Sequence, residues 1–474
     1  MLPLPMLSCV WLQAISVVVK QNTTVVKVFY MKKFLAVLIT VSVILVSCSP
    51  KQADYTAIFD NPDTYCKTVY ELNSVVMGNN FSPMVASRNY MYANVAAYEV
   101  IAGGYPNAYS SLAGQARGLD AVPKPPAGAK IDYGFASLLA FWKLGVAVTF
   151  SDNETKNYVD SLKQLAKEHG MPEDVYNGSV AYADTVSGAV MAWSKKDHYK
   201  ETRGKPEFTV YPDSPARWVP TPPAYSPAAE PHWNEIRQVA VDSVNEFLPP
   251  PPFKFDVSNK TSDYYKEVKL IQQTGDSLTK EQAFIADFWD DNPFKLNVSG
   301  HLMFGTKKFS PPGHWMSIVG IAAIKAKADY NTTVYAYAKT SIALFDAFIQ
   351  CWNIKYMYNT VRPETVVSKY FDPNWRPHLQ TPPFPEYTCG HCYTSASAAE
   401  ALTSVFGDNM AYTDTTETEF GIPERAFKSF RDAADEVKMS RFFGGIHYRY
   451  SVMVSHDMGQ KIGGLVVEKL KMKK

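Results

Sequence analysis

The sequence has little net charge and few cysteines, and it lacks the patterns of several common protein classes. Its 47 basic and 46 acidic residues leave a formal charge of +1 over 474 residues, so no strong field would recruit a nucleic acid or an anionic membrane. It contains no glycine-rich phosphate loop and no short-period repeat, and alternating strand patterns are nearly absent. Six cysteines in a chain of this length are too few for a disulfide scaffold.

The chain does contain ample material for a packed helical core. Hydrophobic residues make up 46% of it and aromatic residues 14%, which excludes intrinsic disorder. Apolar residues at helical spacing predict helices over residues 81–101, 133–150, 151–170, 172–193, 280–290, 315–328, 332–358, 394–406, 423–443 and 452–470. We therefore predict a mainly α fold of helical bundles, with one domain over residues 81–474.

Two stretches are predicted to be non-helical. Residues 194–236 carry many prolines, including the run VPTPP at 219–223, which a helix or a central strand would not tolerate. We expect a long ordered loop there, because its aromatic side chains need burial. Residues 48–80 are predicted to be an N-terminal linker.

The first 47 residues have the anatomy of an export signal. Met31 is followed by two lysines, by an apolar run over residues 35–46 and by Ser47. The last four residues of this segment, Leu-Val-Ser-Cys at 45–48, resemble a bacterial lipobox, which implies a start at Met31 and lipid attachment to Cys48. We expect an exported protein, anchored by lipid to a bacterial envelope membrane at the outer membrane or facing the periplasm.

Three short segments of the predicted catalytic region, residues 340–470, hold the side chains best suited to chemistry. Residues 355–363 place Lys355 and Arg362 two turns apart on one predicted helical face, just before a proline. Residues 383–391 (PFPEYTCGH) lead into a helix whose N-terminus offers free N–H groups to an anion. Residues 440–447 add another arginine and another histidine. Three cations and two imidazoles together suit a tetrahedral or trigonal oxyanion.

These segments resemble the three motifs shared by type 2 phosphatidic acid phosphatases and vanadium haloperoxidases. Residues 355–363 match the K-x6-R-P element, residues 389–391 stand where P-S-G-H is found, and residues 440–447 match S-R-x5-H. Residues 288–291 (FWDD), 311–315 (PPGHW) and the loop at 218–223 look like the haloperoxidase branch. The resemblance implies a small-molecule substrate, with vanadate as cofactor in a haloperoxidase and no cofactor in a phosphatase.

The resemblance also implies roles for individual residues. It assigns the oxyanion cradle to the side chains of Lys355, Arg362, Cys389 and Arg441 and to a backbone N–H of Gly390. His447 would bond vanadium, or would be the nucleophile of a phosphatase that forms a phosphohistidine. His391 would be the acid and base that serves either reaction.

The same resemblance implies roles for Asp291, Trp352 and Phe384. Asp291 resembles an acid that family members pair with the last arginine of the motif set. Trp352 and Phe384 occupy positions that line the halide pocket in chloroperoxidases, although an ordinary place in the aromatic core would explain both residues equally well.

Two departures from the family pattern weaken this reading. The family usually has an aspartate four residues after the axial histidine, where it orients the imidazole; here that position is Ser451, and Asp457 lies too far along the chain to replace it. Cys389 stands in place of a serine, and a thiol is a weaker hydrogen-bond donor. Peroxide or hypohalous acid formed beside it would oxidise it, which favours phosphate-ester hydrolysis.

Cys389 and Cys392 also form a Cys-x-x-Cys sequence, as in thiol redox proteins. That motif belongs after a strand in a small α/β domain, and this context is missing here. A narrower hypothesis stays open, in which a disulfide between the two cysteines forms and reversibly distorts the oxyanion site.

We therefore expect an oxyanion-binding enzyme that resembles vanadium-dependent haloperoxidases, which use peroxide to oxidise halide. One alternative is an acid phosphatase acting on phosphomonoesters. The other is a non-catalytic binding lipoprotein with a decayed site.

Overall fold

Helices dominate the structure, as predicted. The computed structural model describes residues 54–150, 152–293, 295–299 and 301–474. In chain order its helices are α1 (Tyr55–Phe59), α2 (Pro62–Gly78), α3 (Pro83–Gly104), α4 (Tyr133–Val148), α5 (Asp152–Glu168), α6 (Glu173–Ser194), α7 (Tyr199–Thr202), α8 (Asp263–Asp276), α9 (Lys280–Phe288), α10 (Pro311–Ala326), α11 (Tyr330–Tyr358), α12 (Pro363–Tyr370), α13 (Gly390–Phe406), α14 (Phe430–Phe443) and α15 (Arg449–Lys469). Two antiparallel hairpins pair β1 (Leu296–Ser299) with β2 (Leu302–Gly305), and β3 (Tyr412–Asp414) with β4 (Arg425–Phe427). Trp233–Glu235 and Thr416–Phe420 form short 3₁₀ helices.

Helix α11 is the centre of the fold. Nearly all of its residues up to Lys355 are buried, which is the pattern of a helix surrounded by protein on every face. It packs against α3, α10, α13 and α15. At its C-terminal end Lys355 is still fully buried, whereas Met357 in the same turn is exposed, so the lysine lies on the face of the last turn that points into the interior.

Small residues bring α13 and α15 into close contact. A Cβ atom built at Gly459 would lie 2.1 Å from the carbonyl oxygen of Tyr393, and one at Gly463 would lie 2.6 Å from that of Ser397. Any larger residue at these positions would force the two helices apart. The contact places the beginning of α13 beside the chain that enters α15, so two of the three motif segments meet.

The proline-rich stretch is an ordered loop, as predicted. Trp218 and Trp233 are fully buried. The N–H of Trp218 donates to the carbonyl of Asn359 at 3.1 Å, and the N–H of Val361 donates to that of Ala216 at 3.0 Å. The loop thus holds the chain on both sides of the turn that follows α11.

Several predicted boundaries are wrong. Residues 48–80 are not a linker where the structure describes them, because α2 buries a stripe of apolar side chains in the core: Tyr65, Val69, Leu72 and Val76. Helix α14 begins at Phe430 instead of residue 423, since residues 425–427 pair as strand β4 and Ser429 caps the helix. The sequence prediction also missed α1, α7, α8, α12 and both hairpins.

The predicted signal segment and Cys48 lie outside the described residues. Of the helices that the structure describes, none is long and apolar enough to cross a membrane.

Candidate oxyanion-binding site

Lys355 and Arg362 meet in space, but not as neighbours on one helix. Helix α11 ends at Tyr358, Asn359 adopts a left-handed conformation with φ of 48°, and Arg362 is the residue that precedes α12. The residue before a proline disfavours helical geometry, so Pro363 starts a new helix instead of ending the old one. The predicted common helical face is therefore wrong, although the predicted convergence of the two cations is correct.

Backbone carbonyls of the 383–391 segment hold both cations in place. The Lys355 ammonium donates to the carbonyls of Pro385 and Glu386 at 2.8 and 3.1 Å. The Arg362 guanidinium donates through Nε to the carbonyl of Phe384 at 2.8 Å. An ammonium has three donor hydrogens, so Lys355 keeps one for a further acceptor.

The beginning of α13 lies at this cradle. The helix starts at Gly390, earlier than predicted, which places Gly390 and His391 in its first turn, where backbone N–H groups have no intrahelical acceptor. A Cβ atom at position 390 would come within 3.3 Å of the Trp352 ring. The predicted contribution of Gly390, a backbone N–H near the anion, fits this geometry.

Cys389 does not offer a thiol to the anion. Its sulfur is joined to Cys392 in a disulfide with the two Cα atoms 5.4 Å apart, and it accepts the N–H of Cys392 at 3.2 Å. Both cysteines are fully buried. The expectation of a thiol donor at this position is therefore wrong, because the bonded sulfur carries no proton.

His447 is oriented by a carboxylate that the sequence reading did not identify. Its Nδ1 lies 2.9 Å from Oε1 of Glu386, so Nδ1 carries the proton and Nε2 keeps a lone pair. Nε2 in turn accepts from Nη1 of Arg362 at 3.1 Å. Ser451 lies beside the Glu386 carboxylate. In this structure a carboxylate therefore does contact Nδ1 of His447, and it comes from Glu386 and not from position 451.

Arg441 and His391 converge on one backbone segment. Nη1 of Arg441 donates to the carbonyls of Trp289 and Asp290 at 2.6 and 3.3 Å. Nε2 of His391 lies 3.3 Å from the same carbonyl of Asp290, which makes Nε2 the donor and leaves Nδ1 as the basic nitrogen. The Asp291 carboxylate bonds to His314 and acts on Arg441 only through its charge, which favours the protonated guanidinium.

The electrostatics of the site favour neutral imidazoles and an anionic guest. Burial, together with the surrounding cations, holds the pKa values of His447 and His391 well below the usual range. Burial also lowers the pKa of Lys355. Among the described residues, Nη2 of Arg362 and Nε of Arg441 are buried donors without a hydrogen-bond partner. An oxyanion would satisfy both donors and balance the cations.

The aromatic rings of Trp352 and Phe384 pack against Lys355 and Arg362 and form an apolar surface beside these cations. The ammonium of Lys355 lies 5.5 Å from the Trp352 ring centre and 4.9 Å from that of Phe384, and the Arg362 guanidinium lies 5.0 Å from the latter. Both residues thus contact the cradle itself. Their predicted contact with a halide stays a prediction.

Comparisons with known proteins identify the family and the fold. The profile described as "VCPO second helical-bundle domain" matches residues 335–473. The crystal structure of the first bacterial vanadium-dependent iodoperoxidase is similar at 42% identity, with a TM-score of 0.82 over 87% of this chain and 97% of that one. No curated protein gives a significant match.

Two more distant structures share the fold. The apo and holo forms of a bacterial vanadium-dependent chloroperoxidase are each 16% identical, with TM-scores of 0.60 and 0.62. They cover 82% and 88% of this chain, and the matches span 94% and 96% of theirs. With the much higher identity of the iodoperoxidase, these findings show that the chain belongs to the vanadium-dependent haloperoxidase superfamily and is a haloperoxidase-like enzyme.

Proposed function

We propose that this enzyme is a vanadium-dependent iodoperoxidase, which uses hydrogen peroxide to oxidise iodide. The observation that carries the proposal is the cradle around Lys355, Arg362 and Arg441, with its two unpartnered buried donors. The choice of iodide is supported by the 42% identical relative, whose title names it an iodoperoxidase.

The residues present fit vanadate. Guanidinium groups match the oxygens of a tetrahedral oxyanion through paired N–H donors, and the free donors of Arg362 and Arg441 belong to separate chain segments. His447 offers a neutral Nε2 as ligand, with its tautomer fixed by Glu386. When bound, vanadate supplies the electrophilic centre that activates peroxide for two-electron oxidation of the halide.

The side chains have distinct tasks in this reaction. The three cations bind the oxyanion and withdraw negative charge from it. His391 is neutral, with Nε2–H held by the Asp290 carbonyl, so Nδ1 is available to take a proton from peroxide and to return one later. Trp352 and Phe384 provide an apolar surface suited to a weakly hydrated halide beside the cations.

The disulfide weakens the case for the phosphatase alternative. That case depended on a free thiol at position 389, which hypohalous acid would oxidise. In the structure the sulfur is already a buried disulfide, so it has no thiolate to lose. The same cradle would accept a phosphoryl group, and the phosphatase therefore remains the outcome to exclude by assay.

A paired assay tests the proposal. Metal-free protein is titrated with orthovanadate, and peroxide-dependent oxidation of iodide, bromide and chloride is measured beside hydrolysis of a phosphomonoester. We expect iodide oxidation that requires vanadate and that vanishes in His447→Ala, while His232→Ala, which changes a half-buried histidine outside the cradle, retains it. Ester hydrolysis without halide oxidation would overturn the proposal.

We further propose that the protein is exported and attached to the envelope by a lipid on Cys48. The support is the order of charged, apolar and small residues over 31–48. Mass spectrometry of the mature N-terminus should find a lipidated Cys48, and Cys48→Ala should move the protein from the membrane fraction to the soluble fraction. An unmodified Cys48 in membrane-bound protein would contradict this.

A further inference from the structure

A second buried cluster of charged residues lies directly behind the cradle. His314, in the first turn of α10, is fully buried. Its Nδ1 lies 2.9 Å from Oδ1 of Asp291, and its Nε2 lies 2.8 Å from Oδ2 of Asp414 on strand β3. The imidazole therefore joins two chain segments that are far apart in sequence.

One of these segments is the backbone that orients the catalytic groups. The carbonyls of Trp289 and Asp290 accept from Arg441, and that of Asp290 also accepts from His391. The Trp289 ring is stacked on the His314 ring, with the ring centres 4.6 Å apart. The segment is thus held to His314 at both ends, by the Trp289 ring and by the Asp291 carboxylate.

Asp291 needs such a restraint. Its φ of 42° is in the left-handed region, which residues other than glycine adopt uncommonly and which surrounding contacts must stabilise. The hydrogen bond to His314 is such a contact. Without it, we expect the segment to relax, and its two carbonyls would leave their positions opposite Arg441 and His391.

We propose that His314, held between Asp291 and Asp414, is a positioning residue of the oxyanion site, because it fixes the carbonyls that aim Arg441 and His391. The inference rests on the proposed anion-binding function of the cradle. It assigns a task to residues outside the three sequence motifs.

The charges of the cluster support an imidazolium, with protons on both nitrogens. Burial opposes protonation of His314, but the two aspartates raise its pKa well above the usual range. Glu417 adds a carboxylate 3.8 Å from Nδ1, and Lys308 pairs with that carboxylate at 3.2 Å. A proton on each nitrogen satisfies both aspartates, whereas a metal ion on Nδ1 would break the bond to Asp291.

Affinity of the metal-free protein for orthovanadate, measured by calorimetry, tests the proposal without an activity readout. Asp291→Ala should weaken binding about tenfold, as loss of a partner in the outer shell does. Asp291→Asn keeps an acceptor for Nδ1–H and tolerates left-handed φ, so it should stay within about threefold of the wild type, an expectation from that geometry. Asp287→Ala removes an exposed aspartate–histidine pair just before the segment and is the matched control, which should leave affinity unchanged.

A double-mutant cycle separates positioning from general destabilisation. In an Arg441→Ala background, Asp291→Ala should weaken vanadate binding less than about twofold, because Arg441, the cation whose position depends on the segment, is then absent. Full additivity would overturn the inference, as would unchanged affinity in Asp291→Ala. If Asp291→Ala does not fold, His314→Gln replaces it in the same cycle with the same expectations.

Two further measurements, metal content and vanadate binding by the wild type, would each decide against the inference in a defined way. One equivalent of a divalent metal bound at His314 in the purified protein would overturn the inference, since the cation between the aspartates would then not be an imidazolium. Wild-type protein that binds no vanadate would overturn both the proposed function and this inference. Wild-type binding with no effect of Asp291→Ala would overturn the inference alone.

Discussion

Replacing Glu386 with glutamine should weaken the hold of the site on vanadate. The Glu386 carboxylate accepts the Nδ1–H of His447 at 2.9 Å in a fully buried setting. A hydrogen bond to a charged group contributes about 1.5–3 kcal/mol, and a neutral acceptor about half as much. Burial raises the pKa of Glu386 to about 7, so above that pH Glu386→Gln keeps an acceptor but loses a charge. We then expect a loss of about 1–1.5 kcal/mol in vanadate binding, or roughly tenfold in Kd.

Phosphate provides the comparison that makes this result specific. Removing the Glu386 charge leaves the three cations less balanced, which favours any oxyanion held by charge alone. Orthophosphate binding should therefore stay equal or become tighter in Glu386→Gln. Vanadate, which we propose bonds His447, should bind more weakly. Calorimetric titration of both anions into metal-free protein measures the ratio directly. Glu99→Gln, at a buried glutamate bonded to Ser111 and to the N–H of Leu112, is the matched control.

A second substitution, at Ser451, should restore the vanadate affinity that Glu386→Gln loses. Ser451 lies beside Glu386 at the position where the family usually has an aspartate, so adding Ser451→Asp to Glu386→Gln should restore a carboxylate near Nδ1 of His447 and recover most of the lost affinity. Equal losses for vanadate and phosphate would refute the reasoning, because they would indicate a collapsed site. Unchanged vanadate affinity would refute it as well.

Other parts of the structure give predictions of their own. The double variant Cys389→Ser with Cys392→Ser should lose about 2 kcal/mol of unfolding free energy but should bind vanadate as tightly as the wild type. A folded double variant that no longer binds vanadate would contradict this and would show that the anion site depends on the disulfide. Burial lowers the pKa of Lys355, and a bound oxyanion should raise that pKa again. At a pH above the lowered pKa, vanadate binding should therefore be coupled to proton uptake by Lys355, which calorimetry in buffers of different ionisation enthalpy measures. Binding without proton uptake at any pH would contradict this. The buried carboxylate of Asp346 accepts hydrogen bonds from the N–H groups of residues 239–241 at 2.7–3.2 Å. Asp346→Ala leaves these three donors without an acceptor and should lower the unfolding free energy by about 3 kcal/mol or more. Urea unfolding that matches the wild type would contradict this.

The fold could be predicted where local signals agree with packing. Helix α3 begins after the Ser82 cap and ends at the paired glycines, close to its predicted bounds. Helix α2 had comparable signals, with Asn61 as cap and Pro62 and Asp63 in the first turn, but it was taken for part of a linker. The boundary of α14 could not be read in the same way, since strand β4 exists only by pairing with β3.

The five motif side chains could be predicted because each is a distinct residue type at a fixed spacing. The role of Glu386 could not, since it depends on a loop that brings a carboxylate to His447 across 61 positions. The role of the Asp290 carbonyl leaves no trace in the sequence, because every residue type carries a carbonyl. Geometry alone identifies such groups.

One short segment, residues 386–392, compensates for both departures from the family pattern. Glu386 supplies the carboxylate that Ser451 lacks, three residues before Cys389 in the same turn. The disulfide there removes the free sulfur that an oxidising product would attack, while Cys389 still caps α13. Loss of Glu386 alone would leave the Nδ1–H of His447 without a charged acceptor, which is the loss that Ser451→Asp should repair. We therefore expect the site to require a carboxylate near Nδ1 of His447, which this chain supplies from the loop before α13 and not from α15.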